Sequence, residues 1–409
     1  MGASRSRRDR ARERDAPLHY QFTTKRGSQR KLPYERFPNA NSQFPYYRFP
    51  ITHYRFPISL LPISLLPITH YPQSTMKAIA FDTPGNPEVL TLRDLPKPTI
   101  KTNREILVRL KAAGVNPIDT KVRQKGTLTP DPGPHILGCD GAGIVEEVGT
   151  DVTLFQVGDE VYFCHGGLGG QTGNYAEYTV IDERFVAKKP TSLSFAEAAA
   201  APLVLITAWE SLYDRARLQS GQKVLVQAGA GGVGHVAIQL AKLQNAEVCT
   251  TVSSAQKGEF VKSLGADFVI IYPESDVVKS VLDWTDGEGV DIGYDTIGAQ
   301  TFYQTCSCVK IYGDVVTILE PDPSVGNLKD ARMRNLRISL ELMLTPMLKN
   351  LVEEQIQQAK MLQQCARWID QGLLKINLNK TYPLAEASAA HQALQSGGMV
   401  GKLALIISE

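Results

Sequence analysis

The segment Lys223-Val-Leu-Val-Gln-Ala-Gly-Ala-Gly-Gly-Val-Gly234, continued by His235-Val-Ala-Ile-Gln-Leu-Ala-Lys242, decides how the rest of the chain is read. Lys223 to Ala228 has the apolar content of a buried strand and Gly232 to Leu243 the spacing of a helix, which puts the glycines on the turn between them. In a G-x-G-x-x-G turn of this kind Gly229 permits the tight bend, Gly231 lets the backbone approach a pyrophosphate, and Gly234 allows close helix packing. Gly232 and Val233 complete the loop. The helix start adds unpaired N–H groups and a favourable dipole for an anion. A glycine turn without a ligand is the alternative, and the strand and helix on either side argue against it.

Outward from the turn, strand and helix alternate. Ala246 to Thr251, Phe268 to Ile271, Val290 to Asp295 and Gly313 to Leu319 read as strands, with helical stretches between them, which predicts a parallel, doubly wound sheet. Upstream, Glu105 to Leu110, Gly143 to Val148, Asp159 to Phe163 and Tyr175 to Val180 are short strands set among Gly and Pro, the texture of a compact β-rich domain. A capping-box pattern, Ser194-Phe-Ala-Glu197, opens an Ala-rich helix. Downstream, helices near 349–371 and 385–394 and a last strand at 402–407 are expected to return to the first domain. A chain of 409 residues favours more than one domain. The expected divisions are an extension over 1–75, a first catalytic part over 76–200, a dinucleotide-binding domain over 201–340 and a returning part over 341–409.

The hydrophobic share of 43% against 21% charged residues suits a packed interior. The net charge of +2 hides a split, because residues 1–75 carry 13 Lys or Arg and 4 Asp or Glu. That stretch is low in complexity. Pro recurs at 45, 50, 57, 62, 67 and 72, and Ile51-Thr-His-Tyr54 repeats at Ile68-Thr-His-Tyr71. Prolines at this frequency forbid a helix and interrupt strand pairing, so a disordered extension is expected, with Met76 as the natural first residue of the fold. No stretch has the unbroken apolar run of a signal peptide or a membrane span. The six cysteines lack a framework spacing, and Cys306-x-Cys308 has no second pair beside it, which points to reduced thiols in a cytoplasmic protein.

The cofactor is read from the end of the next strand. A site for NAD usually presents Asp or Glu to the ribose hydroxyls there, whereas Val248 to Lys257 reads Val-Cys-Thr-Thr-Val-Ser-Ser-Ala-Gln-Lys. Hydroxyls at Ser253 and Ser254 and the cation at Lys257 suit a 2′-phosphate, and NADPH is therefore expected over NADH. The bland alternative is that Lys257 only solvates a helix surface.

The motifs Gly114-Val-Asn-Pro-Ile-Asp119, Gly138-Cys-Asp-Gly-Ala-Gly143, Val157-Gly-Asp-Glu-Val161, Ala228-Gly-Ala-Gly-Gly-Val-Gly234, Thr251-Val-Ser-Ser-Ala-Gln-Lys257 and Tyr294-Asp-Thr-Ile-Gly298 occur in that order between Met76 and Glu409. With them the chain resembles the medium-chain dehydrogenase/reductase superfamily, in its zinc-free, zeta-crystallin-like quinone oxidoreductase branch. The resemblance implies an α/β fold: a GroES-like β-rich catalytic domain with an inserted Rossmann sheet and a cleft between them. It places Asn116 beside the nicotinamide and Ser253, Lys257 and Tyr272 around the adenosine phosphate. Thr207 and the turn Asp295-Thr296-Ile297-Gly298 would line the nicotinamide side. Zinc-dependent relatives have Cys where this chain has Asn116 and His-Glu where it has Cys139-Asp140, so no metal is expected; Cys164-His165 is too little for a site.

Without a Lewis acid, hydride transfer to an already electron-poor acceptor is favoured over alcohol oxidation. The expected function is NADPH-dependent reduction of a small quinone or α,β-unsaturated carbonyl compound. Asn116 would donate a hydrogen bond, and the proton would come from water, or from Asp119 if it faces the cleft. A zinc alcohol dehydrogenase and a non-catalytic NADPH-binding protein are the competing readings. The resemblance further implies a homodimer or homotetramer; composition favours a disordered extension over a nucleic-acid or membrane tether at the basic start, so neither is expected as a partner.

Overall fold

The computed structural model describes residues 74–130 and 132–408; the predicted extension over 1–75 lies almost entirely outside them. Among the described residues no helix is long and apolar enough to cross a membrane.

Six parallel strands form the central sheet, in the order Phe268–Ile271, Glu247–Val252, Lys223–Val226, Val290–Asp295, Val309–Thr317, Arg337–Leu340. From the strand that feeds the glycine turn the chain adds two strands on one side and then crosses to add three on the other. That topological switch opens a crevice at the carboxyl ends, where ligands of such sheets bind. The helix Gly234–Leu243 holds the turn from behind by burying Val236, Ala237, Ile238, Leu240 and Ala241. Each larger aliphatic side chain buried there contributes on the order of 2 kcal/mol.

The second sheet is mixed. Its centre is Glu105–Val115, antiparallel to Asp140–Val148, to Tyr178–Asp182 and to Lys402–Ile406. The last of these brings the chain's end back beside its beginning, with Leu403 opposite Val115. The Ala-rich helix lies directly on this sheet, and Ala198 to Ala201 are fully buried. Small residues are required on both sides: a Cβ at Gly114 would fall on the Ala199 carbonyl oxygen and 2.9 Å from Asp140 Cβ. The capping box forms as written, Ser194 N–H donating to Glu197 Oε2 at 2.9 Å and Glu197 N–H to Ser194 Oγ at 3.3 Å.

A third, smaller sheet pairs Thr75–Phe81 with Thr91–Pro96 and His135–Ile136. Its first strand begins one residue before Met76, and the Ser74 carbonyl accepts the Lys97 N–H at 2.8 Å. All six cysteines are free. Cys306 and Cys308 pack in an apolar cluster between the central sheet and its helices.

Candidate active site

The turn after Lys223–Val226 is built differently from the expectation. The left-handed residue is Ala228, at φ 50°, and Gly229 does not have positive φ. Gly229 is demanded by packing instead, since a Cβ there would fall on Thr250 Oγ1. Gly234 does what was expected: a Cβ would strike the Ala228 carbonyl oxygen and lie 2.8 Å from Gly229 Cα. A Cβ on Gly231 would meet a single neighbour, Ala228 O at 3.2 Å, so this backbone faces open space. That space suits a pyrophosphate.

It belongs to a cavity of about 210 Å³ whose wall includes Gly231, Gly232, Val233 and Gly234 from the turn. Val115 ends the central strand of the second sheet and Asn116 and Pro117 open the helix after it, Thr296 and Ile318 directly follow two strands of the central sheet, and Leu394, Met399, Gly401 and Lys402 come from the C-terminal segment. The two domains are joined at this point. Gly401 N–H donates to the Ala230 carbonyl at 2.9 Å. His235, fully buried, places Nδ1 3.0 Å from the Gly231 carbonyl, while its Nε2 accepts the Asn377 N–H at 3.2 Å. Nδ1 therefore carries the proton, and burial pushes the imidazole pKa down to about 4, so the ring stays neutral.

Asn116 is buried from bulk solvent and reaches the cavity wall. Its Nδ2 donates to Asp140 Oδ2 at 2.8 Å and its Oδ1 accepts from Lys402 Nζ. Asp119, three residues on, does not face the cleft. It is fully buried, with Oδ2 accepting the Asn116 backbone N–H at 2.8 Å and lying 3.3 Å from the Tyr175 hydroxyl, which also meets His391 Nε2 at 3.2 Å. The helix Pro117–Lys125 causes this, because its third residue bonds back to the residue that caps it. Burial is also the main reason the carboxyl pKa values rise, to about 7 at Asp119 and about 6 at Asp140.

Thr207 is also off the wall; its hydroxyl donates to the Leu203 carbonyl at 2.6 Å inside its own helix. In the turn Asp295–Gly298 the carboxylate is spent on structure. It accepts the Ile297 and Gly298 N–H groups at 3.1 and 2.9 Å and the Thr317 hydroxyl at 2.8 Å. Gly298 takes a φ of 79°, the left-handed value that favours glycine, and the turn so braced presents Thr296 to the cavity.

Ser253 and Lys257 are half-buried beyond the end of Glu247–Val252. The Ser254 hydroxyl is spent on capping the helix Ala255–Ser263, accepting the Lys257 N–H at 3.4 Å. Tyr272 is half-exposed and lines a separate recess of about 610 Å³ with Gln227 and Thr251. Lys402 went unread in the sequence. A lysine heading an otherwise apolar strand was the available signal, since a lysine is rarely buried without partners.

Residues 102–191 match the model of the alcohol dehydrogenase GroES-like domain, and residues 264–405 match that of the zinc-binding dehydrogenases. A quinone oxidoreductase of Pseudomonas aeruginosa is 34% identical over 332 residues, spanning 81% of this chain and 99% of the relative. A 2-methylene-furan-3-one reductase of Solanum lycopersicum is 41% identical over 252 residues, 60% of this chain and 62% of the relative. The crystal structure of Escherichia coli quinone oxidoreductase complexed with NADPH superposes with a TM-score of 0.69 at 31% identity, covering 81% of this chain and all of that one. With its switch-point crevice, its glycine turn and two quinone oxidoreductases matched over 99% or more of their own length, the chain belongs to the medium-chain dehydrogenase/reductase superfamily and is an oxidoreductase.

Proposed function

We propose that the chain is an NADPH-dependent reductase that passes hydride to a quinone or an α,β-unsaturated carbonyl compound without zinc. The observation that carries this reading is the pair of hydrogen-bond donors, Asn116 and Lys402, set on the wall of the cavity that the glycine turn opens onto. The bound cofactor would supply the hydride. Gly231 to Gly234 would seat its pyrophosphate at the helix start, and Thr296 and Ile318 would flank the nicotinamide. Asn116 would donate to the acceptor oxygen as negative charge develops there. Val115, Leu203, Val204, Leu394 and Met399 give that wall an apolar surface that excludes water. Asp119 is off the wall, so the proton that completes the reduction comes from water in this reading.

Preference for NADPH rests on Ser253 and Lys257 and on the lack of a carboxylate at the end of their strand. The zinc-free reading rests on donor chemistry. Around the Asn116 amide stand the Lys402 ammonium, the Asp140 and Asp119 carboxyls and the Cys139 and Cys164 thiols; burial raises the pKa values of all four acids, and acids that hold their protons beside a cation are a poor ligand set. Among the described residues no group of three or more His, Cys, Asp or Glu side chains is arranged to hold a metal. Six thiols without a disulfide fit a cytoplasmic setting. The edge strand Arg337–Leu340, with Leu340 exposed, fits association into a dimer or tetramer.

Consumption of NADPH and of NADH with benzoquinone and with methyl vinyl ketone, with and without a zinc chelator, tests the reading. Turnover that prefers NADPH and survives the chelator is expected. Loss on chelation would favour the zinc alcohol dehydrogenase, and tight NADPH binding with no turnover would favour a binding protein.

A further inference from the structure

Lys402 opens the last strand, and its side chain turns inward, leaving the residue 3% exposed. A buried ammonium is costly unless acceptors hold it. Nζ donates to the Val115 carbonyl at 2.9 Å and to Asn116 Oδ1. The stem passes under the glycine turn, where a Cβ on Gly232 would lie 3.0 Å from Lys402 Cδ. Burial lowers the ammonium's pKa, and the Asp140 and Asp119 carboxylates offset part of that shift. On the other side of the same amide, Asp140 Oδ2 accepts from Asn116 Nδ2 at 2.8 Å, and Asp140 Oδ1 accepts the Leu203 N–H at 2.9 Å.

An ammonium offers only donors and a carboxylate only acceptors. Turning the Asn116 amide over would set donor against donor at Lys402 and acceptor against acceptor at Asp140, so one orientation is enforced. Of the two N–H groups on Nδ2, Asp140 takes one, and the other has no protein acceptor among the described residues. We infer that Lys402 is a positioning residue, which fixes and polarises the Asn116 amide so that its second N–H points into the cavity as donor to the acceptor's carbonyl oxygen. The inference rests on the reductase reading above. A cation at the amide oxygen strengthens the donor at its nitrogen, and in a dry site such a donor acts on the transition state at full strength.

A double-mutant cycle of Lys402→Met and Asn116→Ala in the full chain tests this, read in kcat with NADPH and benzoquinone or methyl vinyl ketone. The same cycle is read without cofactor in the urea midpoint. Each single variant should lower kcat on the order of 10²-fold, with the NADPH Kd changing by less than about threefold. The double variant should be no slower than Asn116→Ala alone, and the midpoint shifts should be less than additive. Multiplying kcat losses would show that Lys402 acts independently of Asn116 and would overturn the inference. Additive midpoint shifts would overturn the contact itself, whether or not any acceptor is reduced. A wild-type protein that reduces neither acceptor would sink the reductase reading and the role given to the second N–H, while the midpoint coupling still reports on the contact. Should Lys402→Met not fold, Lys402→Gln, which retains a neutral donor, takes its place in the cycle with the same expectations.

Discussion

Two glycines three residues apart in the turn should respond to alanine differently, one in stability and the other in cofactor affinity. At Gly234 the added methyl meets main-chain atoms, the Ala228 carbonyl oxygen and Gly229 Cα, which cannot step aside without opening the turn. Overpacking of this kind costs about 1–3 kcal/mol. In a chain of this size each kcal/mol moves the melting temperature by about 2–4 °C, so Gly234→Ala should melt roughly 2–12 °C lower. At Gly231 the methyl meets only Ala228 O, at 3.2 Å, and the residue is not left-handed. That contact is tight, so the carbonyl must shift by a few tenths of an ångström, and the freedom removed from the unfolded chain, worth about 0.4–1 kcal/mol, offsets the strain; apo Gly231→Ala should melt within about 4 °C of wild type. Its methyl, however, projects where the pyrophosphate approaches, and the NADPH Kd should rise at least about tenfold, or ~1.4 kcal/mol. Differential scanning fluorimetry without cofactor and fluorescence titration with NADPH measure the two effects. Wild-type affinity in Gly231→Ala would refute the assignment of that backbone to the ligand; an unchanged melting temperature in Gly234→Ala would refute the steric reading of the turn.

Lys257→Glu should raise the Michaelis constant for NADPH on the order of tenfold or more while leaving that for NADH nearly unchanged; equal effects would remove Lys257 from the 2′-phosphate. Asp119 favours folding with its proton on, because its folded pKa of about 7 lies above the ordinary 3.8. Its contribution is thus complete below pH about 4 and is lost as the pH climbs through about 7. Asp119→Asn should flatten the pH dependence of stability across that window and gain on the order of 1–4 kcal/mol over wild type at pH about 8, read from urea unfolding at several pH values. A shortened chain starting at Ser74 should keep full activity, since it retains the rung from Ser74 O to Lys97 N; a large loss in steady-state rate would give residues 1–73 a role in the fold or the site.

The parallel sheet was legible because each of its buried strands is an apolar run punctuated by a helix. Arg337–Leu340 and Leu378–Pro383 went unpredicted: both are short and half polar, and only pairing with a neighbour makes them strands. The glycine turn was legible as a motif, whereas the division of labour within it was not. Gly229 is fixed by Thr250, a residue of the next strand, and no local rule contains that contact. At the catalytic end Asn116 could be placed by its motif, but its partners, Asp140 and Lys402, lie 24 and 286 residues away. Asp119 looked available in the sequence and proved to be spent inside the fold.

The stitching of the glycine turn to the C-terminal segment has a mechanical consequence. His235 ties the Gly231 carbonyl to the Asn377 N–H, and Gly401 reaches back to Ala230, so the segment that carries Lys402 is pinned to the loop that would receive the phosphates. Any widening of a cleft pinned there would pivot about the turn, with the far rim travelling and the pinned end held still. Occupancy of the turn and the placement of Lys402 are then two readings of one hinge, and a change at Asn377, off the cavity wall, would be felt at both.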